Sequence, residues 1–157
     1  MSLFETSIFG NSVASTCASL NIPVIAYSPL GRGILTGKIT STGDIPADSP
    51  LGRLDKYKGE NLDHNLRLVQ AMQKLSMEYR PHTMAQLAMS WIRQISGKND
   101  LPVIIPISGS TKEENVRANA VHVELTADDL RKIDEILEEN KTVGARAYPG
   151  QRQYIEG

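Results

Sequence analysis

The sequence predicts a parallel α/β chain, and three observations carry that prediction. Helix-like and strand-like patterns alternate along it. Two short runs, Ile22 to Tyr27 and Leu101 to Pro106, are nearly unbroken in apolar residues, as strands covered on both faces would be. Each run leads into a loop bearing serine and glycine and then into a helical pattern, so the chain contains two successive βα units.

The elements follow in order. Ser12 to Leu20 reads as a helix with Val13, Cys17 and Leu20 on one face, and Asn21 ends it. The first strand follows at Ile22 to Tyr27. From Ser28 to Glu60 glycines, prolines and the turn signals Thr42-Gly43-Asp44 and Asp48-Ser49-Pro50 predict loop. A loop of that length inside a compact unit is usually functional, or else a sign that the segment holds structure the pattern does not show. Leu62, Leu66, Val69, Met72 and Leu75 form a helical stripe that Pro81 stops. Thr83 caps a second helix carrying Leu87, Trp91 and Ile95, closed by Gly97. The second strand follows, and Ser108-Gly109-Ser110-Thr111 opens a helix from about Lys112 to Val121. Thr126-Ala127-Asp128-Asp129 is a capping-box-like start, with aspartate in place of glutamate, for a last helix with Leu130, Ile133, Ile136 and Leu137 on its apolar face. The tail from Gly144 to Gly157 reads as irregular.

Composition narrows the function classes. The 157 residues hold 17 basic and 18 acidic side chains, so no nucleic-acid or membrane-surface footprint shows. Sparse aromatics weigh against a platform for stacking single strands. A single cysteine, Cys17, excludes an internal disulfide and reads as a small core residue. No apolar run approaches the roughly 20 residues of a membrane span, and no signal peptide is present, so a cytoplasmic protein is expected. No metal-ligand set is assigned.

Two parallel strands cannot cover their own edges and faces. Either the chain dimerises in an unusual way or it belongs to a larger sheet or barrel. A complete (β/α)8 barrel runs to about 250 residues, of which this chain would supply the last third to half. In parallel α/β proteins, sites form where loops leave the carboxyl ends of strands. Here one such loop begins at Tyr27-Ser28-Pro29-Leu30-Gly31-Arg32-Gly33. The other is Ser108-Gly109-Ser110-Thr111-Lys112. Glycine permits close backbone approach, hydroxyls donate to phosphate oxygens, lysine adds charge, and a helix start adds free N–H groups. Asn115, Arg117 and Asn119 follow within reach of the rest of a nucleotide. An ordinary capped helix with a solvated polar face explains the same segment. Gly37-Lys38 is not a phosphate-binding P-loop, because Arg32 stands where the earlier glycine is required and Ile39 follows the lysine.

Ala26-Tyr27-Ser28-Pro29-Leu30-Gly31-Arg32-Gly33-Ile34-Leu35-Thr36-Gly37 resembles the seventh-strand segment of the aldo-keto reductases. Thr83 to Trp91 resembles that family's seventh-helix segment. Ile105 to Lys112, with Asn119 at the closing asparagine, resembles its eighth-strand cofactor loop. Ser2-Leu3-Phe4 and Val143-Gly144-Ala145-Arg146 resemble the fungal pyridoxal reductase-like branch.

The resemblance implies a single partial domain over residues 1–157, namely strands 7 and 8 of a (β/α)8 barrel with their helices. It implies reduction of aldehydes or ketones by NADPH, with a small-molecule carbonyl substrate in the complete enzyme, no nucleic-acid or membrane partner, and an open oligomeric state. Tyr27 would stack on the nicotinamide, and Ser28, Leu30 and Gly31 would line the pyrophosphate. Gly109, Ser110, Thr111 and Lys112 would hold the ribose and its 2′-phosphate, with Asn115 and Asn119 at the adenine end. Ala118 departs from the glutamate common before that asparagine. The family's catalytic Asp, Tyr, Lys and His have no match here, so no catalytic residue is assigned. Tyr57, Tyr79, Tyr148, Tyr154, His64, His82 and His122 are expected in surface or capping roles. The chain is therefore expected to be a truncated cofactor-binding portion, inactive on its own. A non-catalytic dinucleotide-binding module, a fragment that completes a barrel with another chain, and a degenerate, rapidly degraded product with no function are the alternatives.

Overall fold

A computed structural model describes residues 1–148, 150, 151 and 154. Helix α1 (Ser12–Ser19) precedes strand β1 (Val24–Tyr27), and helices α2 (Gly59–Ser76) and α3 (Met84–Ile95) precede strand β2 (Ile104–Ile107). Helices α4 (Glu113–Ala120) and α5 (Ala127–Glu139) follow. The two strands pair in parallel, in the register Val24 to Ile104, Ile25 to Ile105, Ala26 to Pro106 and Tyr27 to Ile107. Both strands therefore end at the same edge.

Local chemistry sets the helix starts. Thr83 Oγ1 accepts from the Gln86 amide while the Gln86 side chain accepts from the Thr83 amide, a reciprocal box that satisfies two otherwise orphaned donors. Thr126 and Asp129 repeat it on α5, where the Thr126 N–H reaches Asp129 Oδ2 at 2.8 Å. Helix α1 is capped by Asn11, whose side chain accepts from the Val13 amide. Asn21, at φ 54°, turns the chain out of α1 towards β1.

The core lies between α2, α3 and one face of the sheet. Leu62, Val69 and Met72 from α2 and Leu87, Ala88 and Ile92 from α3 are buried with Ala26, Ile104 and Ile133. Each fully buried leucine or isoleucine contributes about 1.5–3 kcal/mol. The other face of the sheet is uncovered: Ile25, Tyr27, Ile105 and Ile107 are 45 to 52 % exposed. The apolar runs predicted strands covered on both sides, and the described chain covers only one. These four side chains lie on the face turned away from α2 and α3.

Two further expectations are corrected. Val13 and Leu20 are exposed, Cys17 is only partly buried, and α1 packs through Ala14, because no described element lies over the Val13–Leu20 face. Residues 28–60 are not a loose loop. They form tight 3-10 turns at Gly31–Thr36, Thr42–Asp44, Pro50–Arg53 and Asp55–Tyr57 that bury Ile34, Leu35, Leu54 and Tyr57. Tyr57 thus belongs to the core. Its hydroxyl donates to the Gly31 carbonyl at 2.8 Å and its ring lies 5.6 Å from that of Phe4. Of the tail expected to be irregular, residues 149, 152, 153 and 155–157 lie outside the described residues. Among the described residues, no helix is long and apolar enough to cross a membrane.

Candidate functional site

The parallel register brings the two predicted loops together. Tyr27 ends β1 opposite Ile107, so Ser28 to Gly31 and Ser108 to Lys112 leave one edge of the sheet side by side. The first loop is a rigid turn. Ser28 and Gly31 both take left-handed backbone angles, φ 50° and 55°, and the Gly31 N–H donates to the Ser28 carbonyl at 2.9 Å. A Cβ on Gly31 would sit 2.9 Å from Phe4 Cβ, so only glycine fits there. Leu30 lies half-buried behind the turn, its carbonyl accepting from Gly33 and Leu35.

The second loop is open. Gly109, Ser110, Thr111, Lys112 and Asn115 are exposed, and nothing lies within 4 Å of where a Cβ on Gly109 would be. Ser110 Oγ accepts from the Lys112 amide at 3.1 Å and so holds the entrance to α4. The Lys112 ammonium stands 3.7 Å from Glu114, a solvated pair of little strength. Arg117 is paired with Glu113 rather than aimed at the loop. Helix α4 buries none of its residues and is tied to α3 instead. Gln86 donates to the Ala118 carbonyl, and Arg93 to the carbonyls of Asn119 and Val121. That bracing fixes Asn119, half-buried one turn beyond Asn115.

The chemistry of this donor set fits a phosphorylated dinucleotide. Two hydroxyls and an ammonium follow an open glycine on one loop, with the Asn115 amide in the first turn of α4. On the other, a half-exposed aromatic ring stands at the end of β1.

A third segment meets the first of these loops, and no pattern along the sequence pairs it with Tyr27. Arg146 Nη2 donates to the Tyr27 hydroxyl at 2.8 Å, across 119 residues, and Arg146 Nη1 donates to Ser7 Oγ at 3.3 Å. In the reverse sense, Arg32 Nη1 donates to the Tyr148 hydroxyl at 3.2 Å and lies over its ring at 5.7 Å. A small cavity of about 50 Å3 beside Tyr27 is walled by Arg32, Tyr57 and Arg146. A much larger groove, about 1160 Å3, runs past Phe9, Trp91 and Asp134, and none of the ten candidate residues lines it. The smaller cavity is the one at the strand ends.

Beneath the tail, Lys56 pairs with Glu5 at 2.9 Å and donates to Thr142 Oγ1 at 3.0 Å. Burial works to raise the Glu5 carboxyl. Hydrogen bonds from Ser7 and Lys56 and the charges of Lys56 and Arg146 outweigh it and hold the group below its ordinary range. Burial pushes the Tyr57 phenol well up, which suits a structural hydroxyl and not a proton donor. His64 Nε2 lies 3.0 Å from the Lys141 carbonyl.

Residues 1–138 match the model of the aldo/keto reductase family. The chain belongs to the aldo/keto reductase family. A Saccharomyces cerevisiae relative named "Putative pyridoxal reductase" is 36 % identical over an alignment of 156 positions that covers 93 % of this chain and 45 % of that protein. Aldo-keto reductase yakc of Schizosaccharomyces pombe, with NADP(+) in its name, is 31 % identical over 88 % of this chain and 39 % of its own length. Glycerol dehydrogenase from Gluconobacter oxydans superposes with a TM-score of 0.74 at 25 % identity, covering 92 % of this chain and 42 % of that one. The chain therefore spans under half the length of these relatives, and its two strands are consistent with part of a barrel.

Proposed function

We propose that this chain is the NADPH-binding portion of a reductase that converts small aldehydes or ketones, pyridoxal-like ones among them, to alcohols. The observation that carries this reading is the pairing of Tyr27 with Ile107, which sets a tyrosine-ended turn beside an open Ser-Thr-Lys loop. NADPH, when bound, supplies the hydride. Tyr27 would present its ring face to the nicotinamide, and Ser28, Leu30 and Gly31 would offer backbone and hydroxyl groups to the pyrophosphate. Ser110, Thr111 and Lys112 would hold the 2′-phosphate, the open Gly109 would admit the ribose, and Asn115 and Asn119 would meet adenine. The ten are read as binding groups, and the family's catalytic Asp, Tyr, Lys and His have no match among them. The proton donor is therefore assigned to a segment other than residues 1–157, and these residues by themselves are expected to bind without turnover. The purified chain should quench or shift NADPH fluorescence and leave pyridoxal unreduced. Sustained reduction by the purified chain would overturn the division of labour, and a folded chain indifferent to NADPH would overturn the site.

A second reading is that the chain completes a barrel with another polypeptide. The half-exposed Ile25, Ile105 and Ile107 favour it, because an apolar face of paired strands needs cover. Co-expression with the amino-terminal half of a fungal relative would test it. Stable co-purification with carbonyl reduction is the supporting result, and separate elution of both halves the opposing one.

A further inference from the structure

Tyr27 stands at the end of its strand with half its surface in solvent, so packing alone does not fix its ring. Its backbone is held by the β1–β2 ladder. Its far end is held at the hydroxyl, which accepts from Arg146 Nη2 at 2.8 Å. The guanidinium is itself anchored, since its other terminal nitrogen donates to Ser7 Oγ. The segment carrying it is pinned on either side. Val143 exchanges hydrogen bonds with the buried Asn65 side chain, at 2.8 and 3.0 Å, and Tyr148 is held by Arg32. A planar donor mounted on such a frame fixes direction as well as distance.

We propose that Arg146 is a positioning residue for Tyr27: through the phenolic hydroxyl it sets the plane of the ring that meets the nicotinamide end of the dinucleotide. This rests on the reading of Tyr27 given above. The bond is made at the hydroxyl and does not itself cover a face of the ring, and it immobilises the side chain before ligand arrives. Without Arg146, binding itself must order the ring, and ordering a side chain on binding costs affinity. That cost should fall on ligands that reach Tyr27 and spare those that reach only the Ser110–Lys112 loop.

The test is a double-mutant cycle on the 157-residue chain with Arg146→Met, Tyr27→Phe and the pair, read with NADPH and with adenosine 2′,5′-bisphosphate, which lacks the nicotinamide end. Arg146→Met is expected to weaken NADPH about threefold to tenfold, as that ordering cost implies. It should leave the bisphosphate unchanged and have no further effect once Tyr27 is phenylalanine. Equal losses for both ligands, or a full Arg146→Met loss in the Tyr27→Phe background, would assign Arg146 to tail stability and overturn the inference. If Arg146→Met does not melt cooperatively, Arg146→Lys enters the same cycle, since it keeps the charge and loses the planar fork. A folded wild-type chain that binds the bisphosphate but not NADPH removes the role of Tyr27, and the inference with it. One that binds neither removes the nucleotide reading as a whole.

Discussion

Asn65 and Val143 exchange two hydrogen bonds across 78 residues of chain: the Val143 amide donates to Asn65 Oδ1 at 2.8 Å, and Asn65 Nδ2 donates to the Val143 carbonyl at 3.0 Å. The same Nδ2 also donates to the Lys56 carbonyl at 3.0 Å. One fully buried amide on α2 thus copies a strand pairing and ties three distant segments together. Asn65→Leu keeps the volume and leaves three backbone groups without their partner. It should destabilise the chain by about 2–3 kcal/mol, measured by urea denaturation, because buried polar groups left unpaired are costly.

Gly31→Ala is the backbone counterpart. The position has φ 55°, and the new methyl carbon would stand 2.9 Å from Phe4 Cβ and 3.0 Å from Ile34 Cγ2. Phe4 and Ile34 are buried and cannot withdraw. A loss of about 2 kcal/mol or more is expected from strain and overlap, read as a lowered Tm. NADPH affinity should fall with it, as the turn that carries Ser28 and Leu30 is displaced.

Lys112→Met separates charge from structure. The lysine is exposed and, among the described residues, its ammonium pairs with Glu114 at 3.7 Å, so stability should change by less than about 0.5 kcal/mol. If Lys112 faces the 2′-phosphate, NADPH affinity falls about tenfold or more, while that for NADH, which lacks the phosphate, stays unchanged. Parallel fluorescence titrations check this. An equal loss for both nucleotides would remove the assignment.

Asp129 contributes to acid stability beside Glu5, Asp44 and Asp128, whose carboxyls are also held low. Burial works to raise this carboxyl, but hydrogen bonds from Thr126 and Tyr79 and the charge of Lys132 hold it below its ordinary value of 3.8. A depressed folded value means the contribution is complete above the unfolded carboxylate range and is lost as pH falls through the folded value. Asp134 runs the other way, since burial raises it and its ionisation opposes folding. The melting temperature should therefore drop below about pH 4. Asp129→Asn should melt lower at pH 7 and lose less between pH 7 and pH 3. An undiminished acid loss in that variant would show that other carboxylates govern it.

What could be read from the sequence was local or matched the family. Thr83 with Gln86, and Thr126 with Asp129, are caps whose partners lie three residues away, so spacing alone exposes them. The strands declared themselves through Pro-Val-Ile runs, and the ten proposed cofactor residues through the family resemblance of the two strand-end segments. Residues 28–60 were opaque because consecutive tight turns impose no single period. Ile34, Leu35 and Leu54 are buried without forming a stripe. Lys56 was equally hidden, since Glu5 and Thr142 lie 51 and 86 residues away. The link from Arg146 to Tyr27 is of the same kind. Arg146 was legible only as a mark of one family branch, and no pattern along the chain joins a tail arginine to a strand-end tyrosine.

The two-stranded sheet also decides how this polypeptide behaves in bulk. Each strand has one edge paired and one edge whose amide groups find no strand among the described residues, beside a row of half-exposed isoleucines. Such edges template pairing with other chains, and sulfate strengthens apolar contact. Colloidal behaviour, more than heat, should then set the working limit of the isolated chain: light scattering that climbs with concentration, precipitation at modest ammonium sulfate, and bright staining by apolar dyes while the helices remain intact.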